Sequence, residues 1–193
     1  MKRRTCLAAG AAALVLSACG KKDTGGEAAA PAAGSVPVSL EKIAADAKGF
    51  NVGSTMSTRV VYVFFDAQCP HCAVLWESAK PLKAQARFVW IPVALLGDKS
   101  LAQGGAILSA ADPVAAMEQN ESSIKTGGIA AMGVADAQRD MVKANTQLFT
   151  GFGFGGVPTV VGKHAVTGEL VTIDGASPTP GLAQRLGLNA PAS

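Results

Sequence analysis

Apolar positions along the chain change period from block to block. Leu7 to Leu16 is a short continuous apolar run behind Lys2, Arg3 and Arg4. Gly20 to Val36 has no apolar periodicity and is small, polar and Pro/Gly-containing, as a flexible tether would be. Ser39 then precedes Leu40, Ile43, Ala44 and Ala47, spaced for one face of a short helix. Val60 to Phe65 is an unbroken β-branched and aromatic run, the pattern of a strand buried on both faces. A helix is predicted from Cys69 to about Lys83, ended or kinked by Pro81, and a strand from Phe88 to Leu96, interrupted by Pro92.

A helical block follows. Asp112-Pro113 has the form of an N-cap with proline at the first helical position. Val134, Ala137, Met141, Ala144 and Leu148 mark one predicted face of a longer helix. Val157–Val161 and Leu170–Ile173 are predicted strands. Thr179-Pro180 opens a last helix through Leu182 and Leu186 that ends at Gly187. This order predicts an α/β class of thioredoxin-like layout: a central mixed sheet flanked by helices, with a helical insertion. Its single domain is expected over residues 37–189.

The basic start and short apolar run are the marks of an export signal. The run is too short to span a bilayer, which takes about 20 apolar residues. It ends in Leu16-Ser17-Ala18-Cys19, which resembles the bacterial lipobox. That resemblance implies a signal peptide over residues 1–18 and lipidation of Cys19, with residues 19–36 as the tether. It implies a protein on the periplasmic side of a bacterial membrane, and Gly20 after the cysteine favours the outer membrane. The formal charge of +3 falls to zero without Lys2, Arg3 and Arg4. No basic excess then remains to hold nucleic acid.

The cysteine count narrows the chemistry. Of four cysteines, Cys6 lies in the leader and Cys19 is the lipid site, which leaves Cys69 and Cys72. Two cysteines so close can staple almost nothing, so the pair reads as chemical rather than structural. With Cys69 at a helix N-cap and Pro70 at the first helical position, the sulfur faces unpaired N–H groups and the positive end of the helix dipole. Both favour thiolate, the nucleophilic form. His71 adds a hydrogen bond or charge. Cys69 is thus the expected attacking, exposed sulfur and Cys72 the sheltered resolving one.

Other readings of the pair are weaker. A metal site needs about two further ligands, and only His71, His164, methionines or carboxylates could supply them. Haem attachment needs a histidine where Ala73 stands. A second signal is Gly155-Gly156-Val157-Pro158-Thr159, just before a predicted strand. Set beside the Cys-x-x-Cys motif, Val157-Pro158 falls where thioredoxin-like proteins carry a cis-proline next to the active sulfurs. Val157 and Thr159 then become candidates for holding an extended partner by strand addition.

The segment VYVFFDAQCPHCAVLWESAKPL resembles the catalytic domain of the DsbG/DsbC disulfide isomerase family, the DsbG side most of all. The likeness continues through ILSAADPVAAMEQ and GVPTVV, over roughly residues 58–188. It implies Cys69 as nucleophile, Cys72 as resolving cysteine and Pro158 as the cis-proline. Asp66 also matches, and a loop carboxylate capping main-chain N–H groups accounts for it at least as well as catalysis. The family's N-terminal dimerisation domain has no room ahead of the match, which predicts a monomer. Cys-Pro-His-Cys with Val before the proline resembles the oxidase DsbA instead, so exchange is implied while its direction stays open among oxidation, isomerisation and reduction.

The expected partners are exported proteins carrying thiols or disulfides, together with a membrane redox partner. No cofactor and no metal are expected. Trp76, Phe152 and Phe154 are candidates for a surface that meets unfolded substrates. The alternative function is a metal-handling or structural lipoprotein on the same scaffold.

Overall fold

A computed structural model describes residues 35–190. Cys6, Cys19, the expected signal peptide and nearly all of the expected tether lie outside the described residues. Five strands form one sheet in the order β1-β3-β2-β4-β5. The elements are α1 (Leu40–Asp46), β1 (Phe50–Gly53), β2 (Val60–Asp66), α2 (Pro70–Ala79), β3 (Arg87–Val93), α3 (Asp98–Ser109), α4 (Pro113–Ser122), α5 (Asp136–Gly151), β4 (Thr159–Lys163), β5 (Leu170–Asp174) and α6 (Thr179–Leu186). β2 and β3 are parallel, with Val63 opposite Trp90, and the remaining pairs are antiparallel. The sheet is therefore mixed and flanked by helices, as the sequence pattern predicts.

β2 is the centre of the molecule. Its side chains alternate between two cores because successive Cβ atoms point to opposite faces. Val61, Val63 and Phe65 join the cluster built with Leu75, Trp76, Trp90, Met117 and Leu182. Tyr62 and Phe64 join the opposite cluster with Ile43, Ile91 and Phe149. Each fully buried side chain of this size contributes about 1.5–3 kcal/mol of transfer free energy, so both faces of β2 hold the site's floor rigid.

Several expected boundaries move. α2 stops at Ala79 and passes into a single 3-10 turn, Lys80–Leu82, around Pro81. β3 ends at Val93 because the N–H groups of Leu95 and Leu96 turn away to the Asp66 carboxylate. β4 begins at Thr159, with Val157 and Pro158 outside the ladder. The predicted inner face of α5 is also corrected. Its buried residues are Val142, Asn145 and Phe149, while Met141 is exposed. The buried Asn145 was indistinguishable from a surface residue in the apolar pattern. Its amide donates to Lys48 O at 2.7 Å and Pro92 O at 3.0 Å, and its Oδ1 accepts from Lys48 N at 2.8 Å.

Trp76, Phe152 and Phe154 do not form a substrate-facing surface. Trp76 is 2% exposed and Phe152 4%. Phe154 packs its ring against Phe64, Phe149 and Phe152 at centroid distances of 5.7, 5.3 and 5.5 Å. Burying these rings against the sheet is worth more than presenting them to water.

Candidate active site

The site forms where β2 runs out. Asp66 ends the strand fully buried, and the turn Ala67-Gln68 delivers Cys69 to the start of α2. One Asp66 oxygen accepts from Gln68 N at 2.8 Å, and the other accepts from Leu95 N at 2.8 Å and Leu96 N at 3.0 Å. Of the two readings of Asp66, the capping one is what these contacts describe: the carboxylate clamps the turn before Cys69 to the loop after β3. The Cys69 N–H donates to Asp66 O at 3.0 Å and completes the turn.

Cys69 is the N-cap of α2 in extended backbone, and Pro70 fills the first helical position without wasting an N–H. Cys69 and Cys72 are both free thiols, and the Cys72 N–H donates to Cys69 O at 3.0 Å. Cys69 is 6% exposed, less than the sequence led one to expect, and Cys72 is wholly enclosed. Pro70 and His71 are exposed beside them.

The two sulfurs differ sharply in acidity. Cys69 is lowered from 9.0 to about 6. The Cys72 thiol bonding to it is the largest cause, followed by the N–H groups of Cys72 and His71 and the His71 charge, against a burial effect that opposes them. Burial pushes Cys72 well above its ordinary value, and the thiol's bond to Cys69 and the Cys69 charge push it further. One sulfur is an anion at neutral pH and its neighbour is a held thiol.

The Val157-Pro158 peptide bond is cis. The Cys69 thiol lies 3.5 Å from Val157 O, and half-buried Val157 packs beside the site. Pro158 is buried. Thr159 is also fully buried, paired with Phe64 on one side and Asp174 on the other, its hydroxyl donating to Gly156 O at 2.6 Å. The Thr159 side chain is thus spent inside the sheet, while Val157 is only half-buried. His164, weighed above as a metal ligand, caps the turn after β4 by accepting from Val166 N and Thr167 N. Among the described residues no group of three or more His, Cys, Asp or Glu is placed to hold a metal ion.

A buried polar network behind the turn was not foreseen. Gln68 and Gln103 amides bond to each other, and both donate to Gly127 O. Gln103 also donates to Ile129 O at 2.6 Å. Asn120 donates to Ala67 O at 3.0 Å and accepts from Ile129 N at 3.1 Å. Glu121 lies beside Asn120, 6% exposed, and is raised from 4.5 to about 8, chiefly by burial. The sequence signal was present in the spacing: Met117, Asn120 and Glu121 stand at i, i+3 and i+4, one helix face whose polar members look like a wet side.

No family model matches the chain. It is 29% identical over 140 residues to the thiol:disulfide interchange protein DsbG of Pseudomonas aeruginosa, which covers 70% of this chain and 54% of that protein. The chain thus spans about half the length of that curated relative. Among solved structures, Proteus mirabilis ScsC in a transitional conformation superposes with a TM-score of 0.62 at 20% identity, covering 76% of each chain. A periplasmic thioredoxin-like protein from Salmonella enterica serovar Typhimurium superposes at 0.59 and 19% identity, over 72% of this chain and 88% of that one. Sheet order, motif and relatives together make the chain a thioredoxin-fold homologue of the DsbG-type thiol:disulfide interchange proteins.

Proposed function

We propose that this chain is a thiol–disulfide oxidoreductase that exchanges disulfides with exported proteins, with Cys69 attacking and Cys72 resolving. One observation carries the reading: an anionic sulfur at the mouth of the site stands next to an enclosed, protonated one. Thiolate is the attacking species, and a low-pKa sulfur is also the better leaving group. In the reductive direction Cys69 thiolate attacks a partner disulfide and forms a mixed disulfide. Cys72 then loses its proton and attacks Cys69 Sγ, releasing the partner. In the oxidative direction a partner thiolate attacks the Cys69–Cys72 disulfide at Cys69. Only sulfur atoms exchange electrons, so the reaction calls on no cofactor.

Each neighbour has a proposed part. Pro70 frees the helix start for the thiolate, and His71 adds positive charge at its edge. Pro158 offers no N–H, and Val157 presents main chain to an extended partner. Lowering Cys69 favours the dithiol, which makes the disulfide an oxidant of partner thiols, and a membrane redox partner would then reset the pair. The lipobox-like segment supports an anchor at Cys19 facing the periplasm, with the outer membrane favoured. No helix among the described residues is long and apolar enough to cross a membrane.

Insulin reduction and refolding of a scrambled, disulfide-bonded substrate test the activity. Turnover lost in Cys69→Ser, together with partners trapped covalently on Cys69 in Cys72→Ala, is the expected result. Turnover that survives Cys69→Ser overturns the reading. Absent turnover with one tightly held metal ion per chain would instead favour a metal-handling lipoprotein. Incorporation of labelled palmitate, abolished by Cys19→Ala, checks the anchor.

A further inference from the structure

Glu121 sits in α4, in the helical insertion rather than in the thioredoxin core, yet it is buried against the active-site turn. Its Oε1 accepts from the Asn120 amide at 3.3 Å, and that same amide holds Ala67 O, two residues before Cys69. Its Oε2 is buried with no hydrogen-bond partner. Among the described residues, no lysine, arginine or histidine pairs with it. Burying a carboxyl this way is costly, and an apolar residue or a glutamine would fill the space with no ionisable proton. An orphaned buried polar atom in a native fold needs an explanation.

The surroundings supply one. The titratable groups that act on Glu121 are Cys69 at the start of α2, Asp66 at the end of β2 and Glu118 on its own helix, all disfavouring its ionised form. Glu121 in turn acts on the Cys72 thiol. Of these, Cys69 is the group whose charge is created and destroyed by the redox reaction. We propose that Glu121 is the proton store of the Cys69–Cys72 pair, holding a proton while Cys69 is a thiolate and releasing it when the disulfide forms. This rests on the exchange reading above.

The step balances as follows. Cys69 thiolate attacks a partner disulfide, forming the Cys69–partner bond and expelling the first partner sulfur as thiolate. Cys72 gives its proton to water, attacks Cys69 Sγ, forms the Cys69–Cys72 bond and expels the second partner sulfur. Two electrons pass to the partner. With the Cys69 charge gone, the Glu121 carboxyl ionises and its proton leaves for solvent. Reduction reverses this and draws the proton back. Glu121 thus makes the oxidising strength of the pair depend on pH beyond what the sulfurs alone dictate.

The direct test follows the Glu121 carboxyl carbon by NMR through a pH titration of the native chain, once as dithiol and once as disulfide. A midpoint that falls on oxidation is expected, and equal midpoints overturn the proposal. The second test compares the equilibrium of native and Glu121→Gln protein with a glutathione buffer. Between the two carboxyl midpoints their ratio should change by up to about tenfold per pH unit, the linkage of one proton. A ratio constant with pH also overturns it. Chemical oxidation and reduction set both forms, so a chain with no turnover of protein disulfides would refute the exchange reading and leave the carboxyl result to stand or fall separately.

Discussion

The Cys69 thiol and the Val157 carbonyl oxygen lie 3.5 Å apart, though 88 residues separate them in the chain. The carbonyl is a partner for the thiol form and a poor neighbour for the anion. On the other side, the Cys72 thiol and the N–H groups of His71 and Cys72 face the anion. These donors outweigh the burial that opposes ionisation, and Cys69 is held at about 6.

Because the Cys72 thiol is the largest of those influences, replacing it should undo much of the shift. Cys72→Ala is expected to move the Cys69 midpoint upward toward its ordinary range, with Cys72→Ser falling between because a hydroxyl still donates. Alkylation rate against pH, with thiolate absorbance in the ultraviolet, reads the midpoint. A Cys72→Ala chain that still titrates near 6 would show that the helix start alone sets the acidity.

Asp66 is a stability residue in this geometry. Its carboxylate satisfies three main-chain N–H groups from two separate loops. Asp66→Ala leaves them without that acceptor and should cost about 2–4 kcal/mol, since each unsatisfied buried group costs about 1–3 kcal/mol. Urea unfolding measures this. A loss under about 0.5 kcal/mol, the size of an ordinary surface substitution, would mean that water replaces the carboxylate.

Much of the architecture was legible because it rests on simple signals. The run Val60–Phe65, the Asp112-Pro113 cap and the Gly187 stop each correspond to an observed element or end. What escaped has physical causes. α3 carries Gly104 and Gly105 in its middle, which reads as weak helix. A Cβ on Gly104 would meet Pro92 Cβ at 3.0 Å and Val142 Cγ2 at 3.3 Å, so the glycine serves close packing of α3 against β3 and α5. β1 is four residues long and holds only Phe50 as a buried anchor, too little pattern to detect. The Gln68, Gln103, Asn120 and Asn145 side chains were missed together, because apolar periodicity has no means of marking a buried amide.

Asn145 makes that last point testable. It is fully buried and clips α5 to Lys48 and Pro92 through three hydrogen bonds. Asn145→Leu restores an apolar pattern but leaves those main-chain groups unpaired, so it should lose about 2–4 kcal/mol. None of the clip's groups is among those that shift Cys69, so the Cys69 titration should not move. A variant more stable than the native chain in thermal unfolding would reverse this view of the residue.

The dithiol chain should also show opposing pH dependences from Glu121 and Cys69. Glu121 ionises near 4.5 when unfolded and at about 8 when folded. Between those values the unfolded chain sheds a proton that the folded chain keeps, so the Glu121 contribution is full below 4.5 and is lost as pH rises to about 8. Cys69 runs the other way: its folded midpoint is about 6 against an ordinary 9.0, so its contribution is full above 9.0 and is lost as pH falls through 6. Glu121→Gln removes the first dependence and keeps the second. Its stability relative to the native dithiol should therefore climb from pH 4.5 to 8, by up to about 1.4 kcal/mol per pH unit, the linkage of one proton. Denaturant midpoints measured for both proteins across that range decide the matter. A difference that stays flat, or that falls with pH, would place the Glu121 carboxyl in water rather than beneath the active-site turn.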